Sequence, residues 1–357
     1  MTYILQQMTP LLSVLVISHN QKELLQRCLE SILCQEIPFD YEIIVSDDAS
    51  TDGTWELAQE YEAKYPFLKA FRCNSNDCNP TCGSERSGHN RRNAFNHSCG
   101  KYFAHIDADD YYRPGTSCLR EMVELLEANP TCSMCMQNNC SIKNGEPLES
   151  GTSTHGLHKY TTGRIIPAKE YFQDELFINN GVMMTRRQAG VNPADIYHKW
   201  YVDSVITPFY LQYGPIVCLD RNDWIYVHYP KTVNSAMKTN DKMIMWSLDL
   251  TVFSAALVPF FKEMFYMNEN HLKGLLDAVR LILEKVPISS DVKAFFAQFS
   301  RIFIYRAAAA EKLSAMQKMR LLAIREYIKF ILRKGLDSPM RMNVLNRLSG
   351  GNNLIVK

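Results

Sequence analysis

The sequence predicts an α/β protein, with a mainly parallel central sheet over residues 1–240 and an all-helical region over residues 241–357. Three observations carry that expectation. Short β-branched apolar runs alternate with segments of helical spacing through the first half. Polar clusters fall at the ends of those runs, where a parallel sheet opens into a crevice. From about Asp241 onward the apolar pattern is helical throughout.

Leu11–Ser18 (LLSVLVIS) is an apolar run of strand length, after which Leu24, Leu25, Cys28, Leu29, Ile32 and Leu33 recur at helical spacing. Asn20 is the expected N-cap, with Glu23 three residues on in the manner of a capping box. Tyr41–Ser46 is the second strand, and the turn Asp47–Gly53 leads into a helix through Trp55, Leu57 and Tyr61. Strand, helix, strand, helix implies parallel pairing with right-handed crossovers. A third strand is expected at Leu68–Arg72, then a Cys- and Asn-rich loop and a basic helix around Arg86–His97. Tyr102–Ile106 is the next strand and runs into Asp107, Ala108, Asp109 and Asp110. Pro114 suits the first turn of a helix whose apolar face is Leu119, Met122, Val123 and Leu126. Residues 141–163 are rich in Gly, Ser, Thr and His and read as one long, mobile loop, of the kind that is functional or disordered in a compact domain. Further strands are expected at Phe177–Met184, Ile216–Leu219 and Trp224–His228, with a helix starting near Trp200–Asp203.

With 357 residues, 46% of them hydrophobic and 22% charged, the chain can bury the core of two packing units. A small disulfide scaffold and a disordered polyelectrolyte are excluded, and 16 Gly and 15 Pro, scattered, exclude a collagen-like or low-complexity chain. Eleven cysteines, an odd number, and no secretory leader pattern lead to the expectation of a reduced, cytoplasmic setting. The charge-free run Leu250–Phe261 is too short to span a bilayer. The net charge of +1 hides an asymmetry: residues 301–357 hold twelve Lys and Arg against three acids, and residues 1–300 hold 27 bases against 35 acids.

Ser18-His19-Asn20, Asp47-Asp48 and Asp107-Ala108-Asp109 all stand at strand ends, so one crevice could gather them. A single strand-end Asp is more often a turn or cap residue. Several carboxylates together repel one another unless a cation or a donor-rich ligand lies among them. Hard oxygen ligands suit Mg²⁺ or Mn²⁺, which bind through one or two carboxylates plus phosphate oxygens.

LSVLVISHN, then EIIVSDDASTDGT, then RRN ahead of GKYFAHIDADDYYRP, in that order and spacing, resembles the family 2 glycosyltransferases over roughly residues 11–230. The resemblance implies a GT-A fold, a Rossmann-like nucleotide-diphospho-sugar transferase domain. Residues 11–112 would bind the nucleotide sugar, a UDP-sugar first among candidates, and residues 113–240 the acceptor. It further implies a divalent metal, Mn²⁺ or Mg²⁺, and inversion at the anomeric carbon. Carried over residue by residue, Ser18, His19 and Asn20 resemble the strand end that contacts the uridine, and Asp48 the carboxylate that binds the base. Arg92 resembles the arginine near base or diphosphate, Asp107 and Ala108 face ribose or sugar, and Asp109 is the metal ligand. His19 departs from the pattern, standing where a Tyr is common.

The reaction so implied needs a base for the acceptor hydroxyl and positive charge for the leaving diphosphate. Asp203 stands where the family carries its base, although Val202 replaces the usual acidic neighbour, and Asp195 is the reserve. His228, at the end of a late strand, matches a histidine that touches metal or diphosphate in related enzymes, against the plainer reading of a structural hydrogen-bonder. Gln298–Ile302 approaches a QxxRW signature of processive synthases but lacks the Trp, which favours addition of a single sugar.

Other signals are weaker. Cys73, Cys78, Cys82 and His89, and the CxxC at Cys132–Cys135, lack a zinc-ribbon partner and read as buried or loop thiols. The basic tail, Ala315–Lys334 above all, reads either as an interfacial helix drawn to an anionic membrane, at the inner face of the cell membrane, or as a bundle packed on the catalytic domain or a second subunit. Nucleic-acid binding is not expected, because aromatic platforms are not arrayed with the bases. The expected function is single-sugar transfer to a hydroxyl of a glycan or lipid-linked acceptor. The competing readings are a sugar-1-phosphate nucleotidyltransferase, which expects a Gly-rich loop where Ser18-His19-Asn20-Gln21 stands, and a non-catalytic nucleotide-sugar-binding scaffold.

Overall fold

The computed structural model describes residues 9–78, 83–143, 145–147, 159–173, 180–191, 197, 206–207, 210–211 and 213–229. The chain divides into two units, Met1–Pro167 with Leu176–Ser235 and Ala168–Glu175 with Ala236–Lys357. Of the second unit the described part is the short helix α5, Ala168–Gln173.

The first unit is built on one sheet. Strand β1 (Leu12–Ser18) is buried at every position, as its mainly apolar run requires when both faces are covered. It pairs in parallel with β2 (Tyr41–Asp48) on one side and β4 (Tyr102–Asp107) on the other, and β2 pairs in parallel with β3 (Leu68–Cys73). Beyond β4 the sheet becomes mixed. Strand β9 (Met183–Arg186) runs antiparallel between β4 and β6 (Met134–Lys143). Strand β10 (Ile216–His228) lies parallel to β6, with β5 (Tyr111–Tyr112) antiparallel on its far side. The order is β3-β2-β1-β4-β9-β6-β10-β5, with β7 (Glu146–Pro147) and β8 (Ile165–Ile166) added at β6 and β10.

The helices follow from apolar spacing. Helix α1 (Lys22–Leu33) buries Leu25, Cys28, Leu29 and Ile32, three of them worth roughly 1.5–3 kcal/mol each. It packs on α2 (Thr54–Lys64) and β5. Helix α3 (Gly83–Asn96) covers β1 and β2, and α4 (Cys118–Ala128) covers β6 and β10.

Five local expectations are corrected. Asn20 does not cap α1: the N-cap is Gln21, and Asn20 takes a positive φ of 54° and turns its side chain to the next loop. Pro114 lies outside its helix, which begins at Cys118. Residues 141–143 belong to β6, and β7 occupies part of the expected loop. Strand β6 itself is hidden in the sequence because Gln137, Asn138 and Asn139 are buried polar residues. They are held inside by such bonds as Asn139 to the Ser141 hydroxyl at 3.0 Å and the Asp223 N–H to Gln137 at 3.3 Å. Residues 216–219 and 224–228 are one strand, interrupted by a register shift between Leu219 and Trp224. The short helical turn Asn180–Val182 precedes β9 where a strand was expected. Gly181 lets that backbone lie on the Trp224 indole, where any Cβ would collide with the ring.

Candidate active site

The crevice begins where β1 and β2 end. His19 Nδ1 bonds the Asp48 carbonyl oxygen at 2.6 Å. The Asn20 N–H donates to the Ser50 hydroxyl at 2.8 Å, and the Asn20 side-chain oxygen accepts from the Thr51 N–H at 2.9 Å. These bonds lock the two strand-end turns together, and Ala49 takes the left-handed region at φ 50° to complete them. Gly53, at φ 92°, then turns the chain into α2. The Ser18 carbonyl accepts from Asn90 of α3 at 3.1 Å, so the third wall of the crevice is held to β1.

Asp48 is buried at that wall. One of its oxygens accepts from the Ser75 N–H at 2.7 Å, and the other takes Nε and Nη2 of Arg86 at 3.1 and 3.0 Å. Asp47 turns the other way and accepts from the Ser50 N–H at 3.0 Å, serving the turn. The adjacent aspartates therefore separate: Asp47 shapes the loop, with Arg72 Nε at 3.7 Å, and Asp48 takes two nitrogens of Arg86.

The acidic turn follows β4. Its backbone folds tightly, with the Asp110 N–H on the Asp107 carbonyl at 2.9 Å and the Ala108 N–H on the Ile17 carbonyl at 3.0 Å. Ala108 is fully buried and so supports the turn, with no exposed surface to offer a sugar. Ligand atoms of Asp107, Asp109 and Asp110 lie within 4.8 Å of one another, the one such acidic or Cys/His group among the described residues. The three differ in what they can do. Asp110 is 2% exposed and accepts from the Val227 N–H at 3.1 Å, which assigns it to holding β10. Asp107 is 39% exposed and takes the Arg91 guanidinium at 2.5 Å. Asp109 has its carboxyl pushed up to about 6, first by burial and next by the Asp107 charge, against the ordinary 3.8. A carboxylate so destabilised, beside a second one facing the crevice, suits a divalent cation.

Of the expected residues, Ser18, His19, Asn20, Asp48, Asp107, Ala108 and Asp109 lie along the ends of β1, β2 and β4. Arg92 is not the arginine on the acidic turn; its neighbour Arg91 is, and Arg92 stands near His89. His228 ends β10 and is not part of the acidic group, although its neighbours on either side are tied to it: Val227 to Asp110, and Tyr229 to Arg27, which also bonds the Asp109 carbonyl. Burial, then Lys143, holds the His228 imidazole below its ordinary pKa. Asp203 and Asp195 lie outside the described residues, as does the basic tail. Sequence reasoning missed Arg27, Arg86 and Arg91. The signal for Arg91 was present: Asn90, Arg91, Ala94, Phe95 and Ser98 form the buried stripe of α3 and its end, on which Arg91 falls and Arg92 does not.

Residues 13–189 match the model of glycosyl transferase family 2. The uncharacterized protein Rv1520 of Mycobacterium tuberculosis is 32% identical over 126 residues, 35% of this chain and 34% of its own. A poly(ribitol-phosphate) beta-glucosyltransferase of Bacillus spizizenii is 32% identical over 101 residues, 28% of this chain and 15% of its own. The chain thus spans about a third or less of the length of these relatives. The crystal structure of S. aureus TarS 1-349 in complex with UDP-GlcNAc superposes with a TM-score of 0.52 at 15% identity, over 90% of this chain and 91% of that one, a likeness of fold. With β1, β2 and the acidic turn of β4 inside the matched segment, residues 13–189 form a family 2 glycosyltransferase domain of GT-A fold.

Proposed function

We propose that the protein is an inverting transferase that moves one sugar from a nucleotide-diphosphate sugar, a UDP-sugar in the first instance, to a hydroxyl of a surface-glycan or lipid-linked acceptor. The observation that carries this reading is the acidic turn. Asp107 and Asp109 follow the end of β4, beside the ends of β1 and β2 that carry His19 and Asp48, and desolvation followed by the Asp107 charge pushes the Asp109 carboxyl up to about 6. The presence of UDP-GlcNAc in the TarS structure supports a nucleotide-sugar donor. The Bacillus spizizenii relative, a poly(ribitol-phosphate) beta-glucosyltransferase, supports a hydroxyl-bearing polymer as acceptor.

In this reading Asp109 would hold Mn²⁺ or Mg²⁺, with His228 as a further ligand from β10. The bound cation would supply positive charge for the departing diphosphate. Asp48 and Arg86 grip the base side of the donor, His19 and Asn20 shape the turn beside it, and Asp107 orients ribose or sugar while Arg91 holds its carboxylate in place. Asp203 accepts the proton of the acceptor hydroxyl as that oxygen bonds the anomeric carbon and the carbon–oxygen bond to the diphosphate breaks. Attack from the face opposite the leaving group inverts the centre. The basic residues of 301–357 favour an anionic membrane surface, where a lipid-linked acceptor resides. No helix among the described residues is long and apolar enough to cross a membrane.

Incubation of the protein with Mn²⁺ and a panel of UDP-, GDP- and dTDP-sugars, read by nucleoside diphosphate release, tests the proposal. Release from one nucleotide class, lost on Asp109→Ala, is expected. Absence of release and of binding for every donor would overturn it.

A further inference from the structure

We infer that Arg27 is a positioning residue for the cation site. From α1 it holds the main chain of Asp109 to the end of β10 and so aims the Asp109 carboxylate. This rests on the proposed role of Asp109 as cation ligand.

Arg27 Nη2 donates to the Asp109 carbonyl oxygen at 2.7 Å and, also at 2.7 Å, to the Tyr229 hydroxyl. Its guanidinium lies over the Tyr111 ring at 4.4 Å from the centroid, on the short strand that follows the turn. The next residue of α1, Cys28, is buried with its Sγ 3.9 Å from the Asp107 carbonyl. One turn of α1 thus touches the main chain of both aspartates that face the crevice. The second tie runs from Asp110, whose carboxylate accepts from the Val227 N–H. Arg27 meets the carbonyl of Asp109 and not its carboxylate. It therefore fixes where the Asp109 side chain starts and leaves the carboxylate oxygens for a cation, as outer-shell partners of metal ligands do. A planar guanidinium can stack on Tyr111 and donate in its own plane, which an ammonium cannot do in the same way.

Two effects of removing Arg27 oppose each other. Its positive charge repels a second cation, so losing the charge alone strengthens metal binding. Losing the two bonds frees the turn and weakens it. The geometry points to the second effect winning, because the guanidinium is committed to carbonyl, hydroxyl and ring together.

The experiment is Mn²⁺ titration of the full chain followed by electron paramagnetic resonance, with and without UDP, and with thermal unfolding in EDTA recorded beside it. Arg27→Met is expected to weaken Mn²⁺ binding about tenfold, Arg27→Lys to recover part of that loss, and Tyr229→Phe to weaken binding by about threefold. If Arg27→Met does not fold, Tyr229→Phe alone decides: a loss of affinity supports the inference and unchanged affinity overturns it. Folded Arg27→Met that binds Mn²⁺ as tightly as the unaltered protein, or more tightly, overturns the inference and leaves the metal reading standing. No Mn²⁺ binding by the unaltered protein overturns both.

Discussion

Arg91 on α3 donates to the Asp107 carboxylate at 2.5 Å, and the arginine side chain is 3% exposed while the aspartate is 39% exposed. A buried cation thus stands behind a carboxylate that opens to the crevice, and the helix covering β1 and β2 is charged where it meets the acidic turn. Asp107→Asn would leave that guanidinium buried without its counter-charge. A loss of about 2 kcal/mol of stability is expected in urea unfolding, the scale of an uncompensated buried group. An unchanged midpoint would show that the pair is not holding α3.

Asp109 and Asp110 are adjacent and should respond in opposite ways. Asp109→Asn removes a carboxylate whose ionisation burial disfavours, so it should raise the unfolding midpoint of the metal-free protein while abolishing Mn²⁺ binding. Asp110→Asn weakens the tie to the Val227 N–H, so it should lower the midpoint, by about 1 kcal/mol, with Mn²⁺ binding retained. Thermal scans in EDTA paired with Mn²⁺ titrations separate the two.

The raised carboxyl of Asp109 also sets a pH dependence. The fold binds a proton there up to about pH 6, whereas the unfolded chain releases it near the ordinary 3.8. Metal-free stability from this group is therefore complete below about 4 and is lost as pH rises through about 6. Mn²⁺ binding runs the other way, since the cation must displace that proton. Its affinity is expected to fall several-fold between pH 7 and pH 5.5 by titration calorimetry; a flat profile would remove Asp109 from the ligand set.

A base at Asp203 makes a kinetic prediction. Asp203→Asn should lower kcat by at least about 100-fold, the scale of general-base catalysis, with donor affinity unchanged. Asp195→Asn should stay within a few-fold of the unaltered protein. Reversal of those two results would transfer the role to Asp195.

The parallel half of the fold was legible because β1, β2 and β4 are mainly apolar runs ending in polar clusters, and the clusters meet where such strands end. Strand β6 was not, since its buried Gln137, Asn138 and Asn139 read as a loop until the partners across the sheet are known. Asn20 was mistaken for a cap because the same side chain that caps helices also serves a turn, and the turn it serves is thirty residues away. The carboxylates could be named from sequence, but their arginines could not be fully assigned. Arg27 and Arg86 reach the site from helices distant in sequence, separated by 82 and 38 residues from the aspartates they meet. Arg91 differs from Arg92 only in which side of α3 it occupies.

The central claim, that the crevice binds a nucleoside diphosphate through a cation at Asp109, is met most directly by titration calorimetry of UDP with and without Mn²⁺ on the unaltered protein and on Asp109→Ala. The account predicts tighter UDP binding with Mn²⁺, at least about tenfold as for the loss of a charge-neutralising group, and the same weak binding by Asp109→Ala whether or not Mn²⁺ is present. UDP affinity that ignores Mn²⁺ in the unaltered protein, or that Asp109→Ala leaves intact, would contradict it.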